Sequence, residues 1–322
     1  MNVNSQYKTK QFFVVLIKLG IVVGAFYFIF SKIAKNENLE FSQLISFLKE
    51  NNTFSIKNII FLLFLSCFNW LFEILKWQYL VKTLKPISFK SALEQSLGGQ
   101  TASLMTPNRI GDYGAKVIYY RKSFRTKIVL LNLLGNMAQM TITTFLGFIG
   151  LLFFINRYPI NIKLYKLSIF GIIILFFGWL LWLVTKQKRF RIKGFPLERI
   201  LQFIKSMPSQ THITNLTLSL MRYLIFSFQF YYLMKVFGVH IDYFDAVIII
   251  TSMYFLASIL PTISIFDVVV KGSIAVFLFG YADINELTIL SITTVMWLLN
   301  FVIPSIFGSY FVLNFKLPKP VE

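Results

Sequence analysis

IIFLLFLSCFNWLFEILKWQYL, residues Ile59 to Leu80, is an apolar run with one acid, Glu73, and one base, Lys76, inside it. A helix of that length crosses the roughly 30 Å of hydrocarbon in a bilayer, so the run reads as a transmembrane helix carrying ionisable groups at depth. Five further stretches have comparable character: Phe12 to Phe30, Ile128 to Ile155, Ser168 to Val184, Asn215 to Phe237 and Leu287 to Leu313. Composition agrees, since 56% hydrophobic residues, 14% charged residues and a mean hydropathy of +0.67 are too apolar for a soluble chain of 322 residues. The expected fold is all-α, a polytopic integral membrane protein of six to eight transmembrane helices, with residues 1–322 forming a single transmembrane domain. The first apolar segment ends Phe-Ile-Phe without a small-residue cleavage site, and reads as a retained helix rather than a signal peptide.

The chain also resembles one module written twice. FSQLISFLK (Phe41 to Lys49) and LERILQFIK (Leu197 to Lys205) share their apolar spacing, and Asp112-x-x-x-Lys116 and Asp267-x-x-x-Lys271 recur at nearly the same offset, each after a proline. The halves are residues 12–155 and 168–314. Each contains an interrupted segment: one around Gly98, Gly99, Pro107 and Gly111, the other at Pro261. Irregular backbone at membrane depth persists only where protein or a wet cavity satisfies it, so both segments are expected to be broken or re-entrant. Three crossings plus one excursion per half would make this an inverted internal repeat. For Asp245 to Gly280, two short spanning helices are the alternative. The short amphipathic stretches Phe41 to Leu48 and Leu197 to Ile204 are expected along the interface, as docking surfaces or as bookends of the repeat.

Lys and Arg set the orientation. Lys82, Lys85, Lys90, Lys116, Arg121, Lys122, Arg125 and Lys127, with the run from Lys186 to Lys193, fall in loops expected to be cytoplasmic, whereas 238–245 and 281–286 carry neither residue. The chain is accordingly expected as a multi-pass protein of the cell inner (cytoplasmic) membrane with both termini cytoplasmic. The net charge of +19 is spent against lipid phosphates, and nucleic acid is not an expected partner.

Polar residues inside the apolar runs are the candidate site. Asn132, Asn136, Gln139 and Thr143 form a stripe at i, i+4, i+7 and i+11, which must face inward, either as interhelical glue or as part of a path. Glu73 marks an ion, proton or headgroup path unless it is held in a static pair with Lys76. The repeat offset matches Gln229, in the equivalent helix of the second half, to Glu73, and Arg222 shares the Gln229 face. Gly-x-Ser-x-Gly, His-Glu-x-x-His and P-loop motifs are absent from the chain, which has two His and a lone cysteine, Cys67. No catalytic residue, cofactor or metal is therefore expected.

The stretch SLMTPNRIGD, Ser103 to Asp112, resembles the Pro-x-Arg-x-Gly-acid signature of the lysylphosphatidylglycerol synthase transmembrane family, with Pro107, Arg109, Gly111 and Asp112 at the motif positions and Asp in place of the more usual Glu. The second family signature is met by Pro261 and Asp267, while Ser264, Ile265 and Phe266 stand where glycines are usual. The resemblance implies a flippase-like protein acting on a membrane phospholipid or glycolipid. It concerns the membrane portion only, because the chain is expected to leave no room for the cytosolic aminoacyl-transferase domain of larger relatives.

The leading expectation is a transporter whose two broken segments meet near mid-membrane around a lipid headgroup. Arg109, Lys116 and Arg222 attract its phosphate; Asp112, Asp267 and Glu73 balance them; Lys271 pairs with Asp267. The rivals are a membrane-embedded transferase joining a lipid carrier to a sugar or phosphate, with Asp112 or Asp267 as base, and a non-catalytic partner of envelope-synthesis enzymes.

Overall fold

A computed structural model describes residues 23, 55–104, 106, 109–158, 191–192, 195–259 and 267–315, with backbone only at 191–192, 195–199 and 267–269. The helices are α1 (Ile56–Lys82), α2 (Phe89–Ser103), α3 (Ile110–Val117), α4 (Lys122–Arg157), α5 (Leu197–Ser206), α6 (Ser209–Val236), α7 (Tyr243–Ile259), α8 (Asp267–Gly280), α9 (Glu286–Trp297) and α10 (Ile303–Asn314). A π-helical turn, Leu298–Val302, joins α9 to α10, and the strands β1 (Arg191–Ile192) and β2 (Phe195–Pro196) form a two-residue antiparallel ladder before α5. The protein is an all-α polytopic membrane protein. The expected segments Phe12 to Phe30 (apart from Val23), Phe41 to Leu48 and Ser168 to Val184 lie outside the described residues, as do Pro107 and Pro261.

Among the described residues three helices are long and apolar enough to cross a membrane: α1, α4 and the continuous Glu286–Asn314. Their burial separates them, because 67% of the apolar window of Glu286–Asn314 is covered by protein against 33% for α1 and 22% for α4. The last helix is thus the central post, and the other two present broad faces to lipid. At 28 residues α6 is as long as α1 and Glu286–Asn314 to within one residue, but Asn215, Ser219, Arg222, Ser227 and Gln229 make it polar along one side. α7 and α8, at 17 and 14 residues, are each shorter than the ~30 Å core when counted at 1.5 Å per residue.

Packing is reciprocal between the two ends of the chain. α1 lies along α6, α2 along α10, and α4 along α7. Small residues permit the close approach, as expected where lipid supplies no hydrophobic drive between helices. A methyl group added at Gly308 of α10 would overlap the Leu97 carbonyl and the Thr101 hydroxyl of α2, and one at Gly147 or Gly150 of α4 would overlap Phe255 or Thr251 of α7. One expectation is corrected here. Gly98 and Gly99 are helical residues within α2, so the break falls after Ser103 rather than at the glycine pair. Among the described residues α2 packs on α10 and α1 and α3 on α2 and α4, whereas α7 packs on α4 and α8 on α9; residues 105, 107–108 and 260–266, at the breaks of the two interrupted segments, lie outside the described residues.

The π-helical turn has a local cause. Pro304 has no N–H, so the carbonyls one turn before it lose their backbone donor. Two α1 side chains supply the missing bonds: Ser66 Oγ donates to the Leu299 carbonyl at 2.7 Å and Trp70 Nε1 to the Asn300 carbonyl at 3.2 Å. α5 is amphipathic as expected, and its Phe203 and Ile204, followed by Met207, pack onto the core formed by Ile74, Trp77, Leu80 and Leu131.

Candidate functional site: a buried ion cluster

α1 presents Asn69, Glu73 and Lys76 at i, i+4 and i+7, one side of the helix, about two thirds of the way along its length. By the 1.5 Å rise, Glu73 sits ~25 Å from the Ile56 end, within hydrocarbon depth for a helix that spans the membrane. Its Oε2 accepts from Lys76 Nζ at 2.7 Å and from Arg222 Nη1 of α6 at 2.6 Å. Arg222 Nε reaches Asn69 at 3.0 Å, Asn69 donates to Asn300 of the π-helical turn at 2.8 Å, and Asn300 donates to Gln229 at 2.9 Å. Gln229, the position on α6 that the repeat offset matches to Glu73 on α1, is bonded to an amide rather than to an ion. It closes the far end of a chain of hydrogen bonds that Arg222 begins, and its own amide donates to the Leu62 carbonyl at 3.0 Å.

A second group is built on α3 and α4. Lys116 Nζ lies 3.1 Å from Asp112 Oδ1 and donates to Asn132 Oδ1 at 2.8 Å, while Asn132 Nδ2 donates to Asp112 Oδ2 at 2.9 Å. The three side chains form a closed ring, and Lys116 also stands 4.4 Å from the centroid of Trp77. The pair is not the exposed i,i+4 bridge of a helix surface, since Lys116 is 2% exposed. Two glycines make room for it. A Cβ at Gly99 would overlap the Asp112 carboxylate, and one at Gly111 would overlap the Ala102 carbonyl, so the motif glycine lets α3 fold back against α2.

Arg109 initiates α3 with φ 57° and ψ 29°, a left-handed conformation that a side-chain-bearing residue adopts at a cost of roughly 1–3 kcal/mol. Its Nη2 donates to Gln100 Oε1 at 2.7 Å. Arg222 is within electrostatic reach of Arg109 and Asp112, and Glu73 within reach of Lys116, which makes the two groups one cluster. Beyond it, Asn136 donates to Tyr113 Oη at 2.9 Å, whereas Thr143 bonds back to the Gln139 carbonyl at 3.0 Å. The lower half of the polar stripe joins the site; the upper half does not.

Lys271 is placed elsewhere. Its ammonium stands 5.4 Å from the Phe301 centroid in a cavity of about 30 Å³ that Phe226, Phe230, Tyr254 and Trp297 also line. The Asp267 side chain, its expected partner, lies outside the described residues. Among the described residues no three His, Cys, Asp or Glu side chains converge as a metal site would require. Residues missed from sequence are Asn69, Asn300, Gln100 and the two tryptophans of α1. Asn69 had a signal in its spacing to Glu73 and Lys76, and Asn300 had one in its position a turn before Pro304.

The lysylphosphatidylglycerol synthase TM region family model matches residues 15–308, which includes every residue of the cluster. No curated protein matches the chain at a significant level.

Proposed function

The chain belongs to the lysylphosphatidylglycerol synthase TM region family, and from that premise we propose that it acts in lipid or envelope metabolism as a flippase-like transporter carrying a polar or charged lipid headgroup between leaflets. The observation behind this function is the cluster of six ionisable groups, Glu73, Lys76, Arg109, Asp112, Lys116 and Arg222, inside a lipid-embedded bundle. A chain that needed only to be anchored would be as stable with apolar residues there, because burying ion pairs costs about as much as their attraction returns. A headgroup crossing hydrocarbon needs such a surface, while its tails stay in the bilayer. In this mechanism Glu73 and Asp112 hold Lys76 and Lys116 in place, and the guanidinium groups of Arg109 and Arg222 receive phosphate oxygens.

The reciprocal packing of α2 on α10 and of α7 on α4 supports an inverted repeat with the path between the halves. The basic loops favour a cell inner membrane location with cytoplasmic termini. With no nucleotide-binding motif in the chain, movement runs downhill or is coupled to an ion gradient.

The test is leaflet exchange of headgroup-labelled lipids in proteoliposomes. Arg109→Gly is the informative variant, because glycine accepts the left-handed backbone without strain while the side chain, guanidinium included, is removed. Headgroup-selective exchange by the wild type, lowered about tenfold or more in Arg109→Gly and Asp112→Asn, is the expected result. Wild-type exchange no faster than in protein-free vesicles would sink the proposal.

A further inference from the structure

We infer, building on the headgroup-transport function above, that the cluster selects a phosphate-bearing headgroup with two negative charges, a phosphomonoester or a diphosphate, and rejects a cationic, aminoacylated one. Two independent properties of the site lead there.

The first is charge. The described residues of the cluster comprise four cations, Lys76, Arg109, Lys116 and Arg222, against two carboxylates, Glu73 and Asp112, an excess of two positive charges. At low dielectric an unbalanced charge is expensive, so the site is most stable with a dianion in it. A headgroup bearing an ammonium would add to the excess.

The second is hydrogen-bond capacity. Lysine and arginine only donate, and the carboxylate oxygens that face them are already engaged: Glu73 Oε2 by Lys76 and Arg222, Asp112 Oδ1 and Oδ2 by Lys116 and Asn132. Gln100 carries the same imbalance one step further. Because a guanidinium cannot accept, Gln100 must turn its oxygen to Arg109, which leaves the Nε2 donor of a side chain only 1% exposed without an acceptor. The site is therefore short of acceptors and rich in donors. Phosphate oxygens supply acceptors; an ammonium brings three more donors. Access is through the arginines, since Lys76 and Lys116 are buried while Arg109 and Arg222 are partly exposed.

The experiment uses the full chain in detergent at pH 8, where a phosphomonoester with a second pKa of about 6 is dianionic. Thermal stabilisation is titrated with short-chain phosphatidic acid, phosphatidylglycerol, phosphatidylethanolamine and lysylphosphatidylglycerol, and with free pyrophosphate. Leaflet exchange of the same lipid headgroups is measured in proteoliposomes. The expected order is phosphatidic acid first, phosphatidylglycerol about tenfold weaker, and the zwitterionic and aminoacylated lipids weaker again. Arg109→Gly should narrow the gap between the first two. Equal or stronger binding of the aminoacylated lipid overturns the proposal. Stabilisation by pyrophosphate that matches the lipid overturns its lipid form and points to a soluble anion. Exchange of all headgroups alike refutes the selectivity and leaves transport standing; selective binding without exchange does the reverse.

Discussion

Replacing Glu73 by alanine removes one carboxylate on which two cations depend. Glu73 Oε2 lies 2.7 Å from Lys76 Nζ and 2.6 Å from Arg222 Nη1, and Lys76 is 3% exposed, so the lysine gains no water in exchange. Breaking one buried pair costs about 3–5 kcal/mol, most of it from the charge left behind. Arg222 keeps Asn69 as a partner and is partly exposed, which places the expected loss near the lower end, about 3–4 kcal/mol. At roughly 2 °C per kcal/mol for a large chain, the melting temperature should fall by roughly 6–8 °C. The assay is thermal unfolding in detergent followed by tryptophan fluorescence. Glu73→Gln keeps the shape and loses the charge, and should fall between the two. Adding Lys76→Met to Glu73→Ala removes one stranded cation and should recover part of the loss, because a site without either charge needs no partner. A Glu73→Ala protein melting within about 1 °C of the wild type would refute the assignment of Glu73 as the anchor of both cations.

Three further outcomes follow from the same geometry. Gly111→Ala should lower the yield of folded protein sharply, since its methyl would overlap the Ala102 carbonyl, whereas Gly114→Ala, with open space at its Cβ, should behave as wild type in size-exclusion profile and melting. Ser66→Ala should cost about 1 kcal/mol by stripping the Leu299 carbonyl of its side-chain donor; in a Pro304→Ala background, where the backbone N–H is restored, the same change should cost measurably less in a double-mutant cycle. Cys67, exposed on a membrane-crossing helix, should be silent to a membrane-impermeant maleimide in intact vesicles and react once detergent is added, and rapid labelling in intact vesicles would contradict the placement of α1.

Much of the architecture was readable from local properties. The apolar runs around Ile59 to Leu80, Ile128 to Ile155 and Leu287 to Leu313 became helices extended by a few residues at each end, because length and hydropathy belong to each segment alone. The spacing of Asn132 and Asn136 likewise announced an inward face, and Asp112 and Lys116 do pair one turn apart. Partners across helices were not readable in that way. The repeat offset matched Gln229 to Glu73 only as equivalent positions of the two halves; it was the packing that set Arg222 against Glu73, 149 residues away, and gave Gln229 to Asn300. Gly98 and Gly99 looked like a hinge because glycine breaks helices in water, yet in α2 they are helical, and Gly99 has the different task of leaving space for the Asp112 carboxylate. Sequence by itself determined which segments are helices and which faces are polar, since both follow from the chemistry of neighbouring residues. Only the tertiary structure decided which polar face meets which, because that depends on where Gly111, Gly147, Gly150 and Gly308 let two backbones come close, a property of pairs of surfaces rather than of any one stretch of chain.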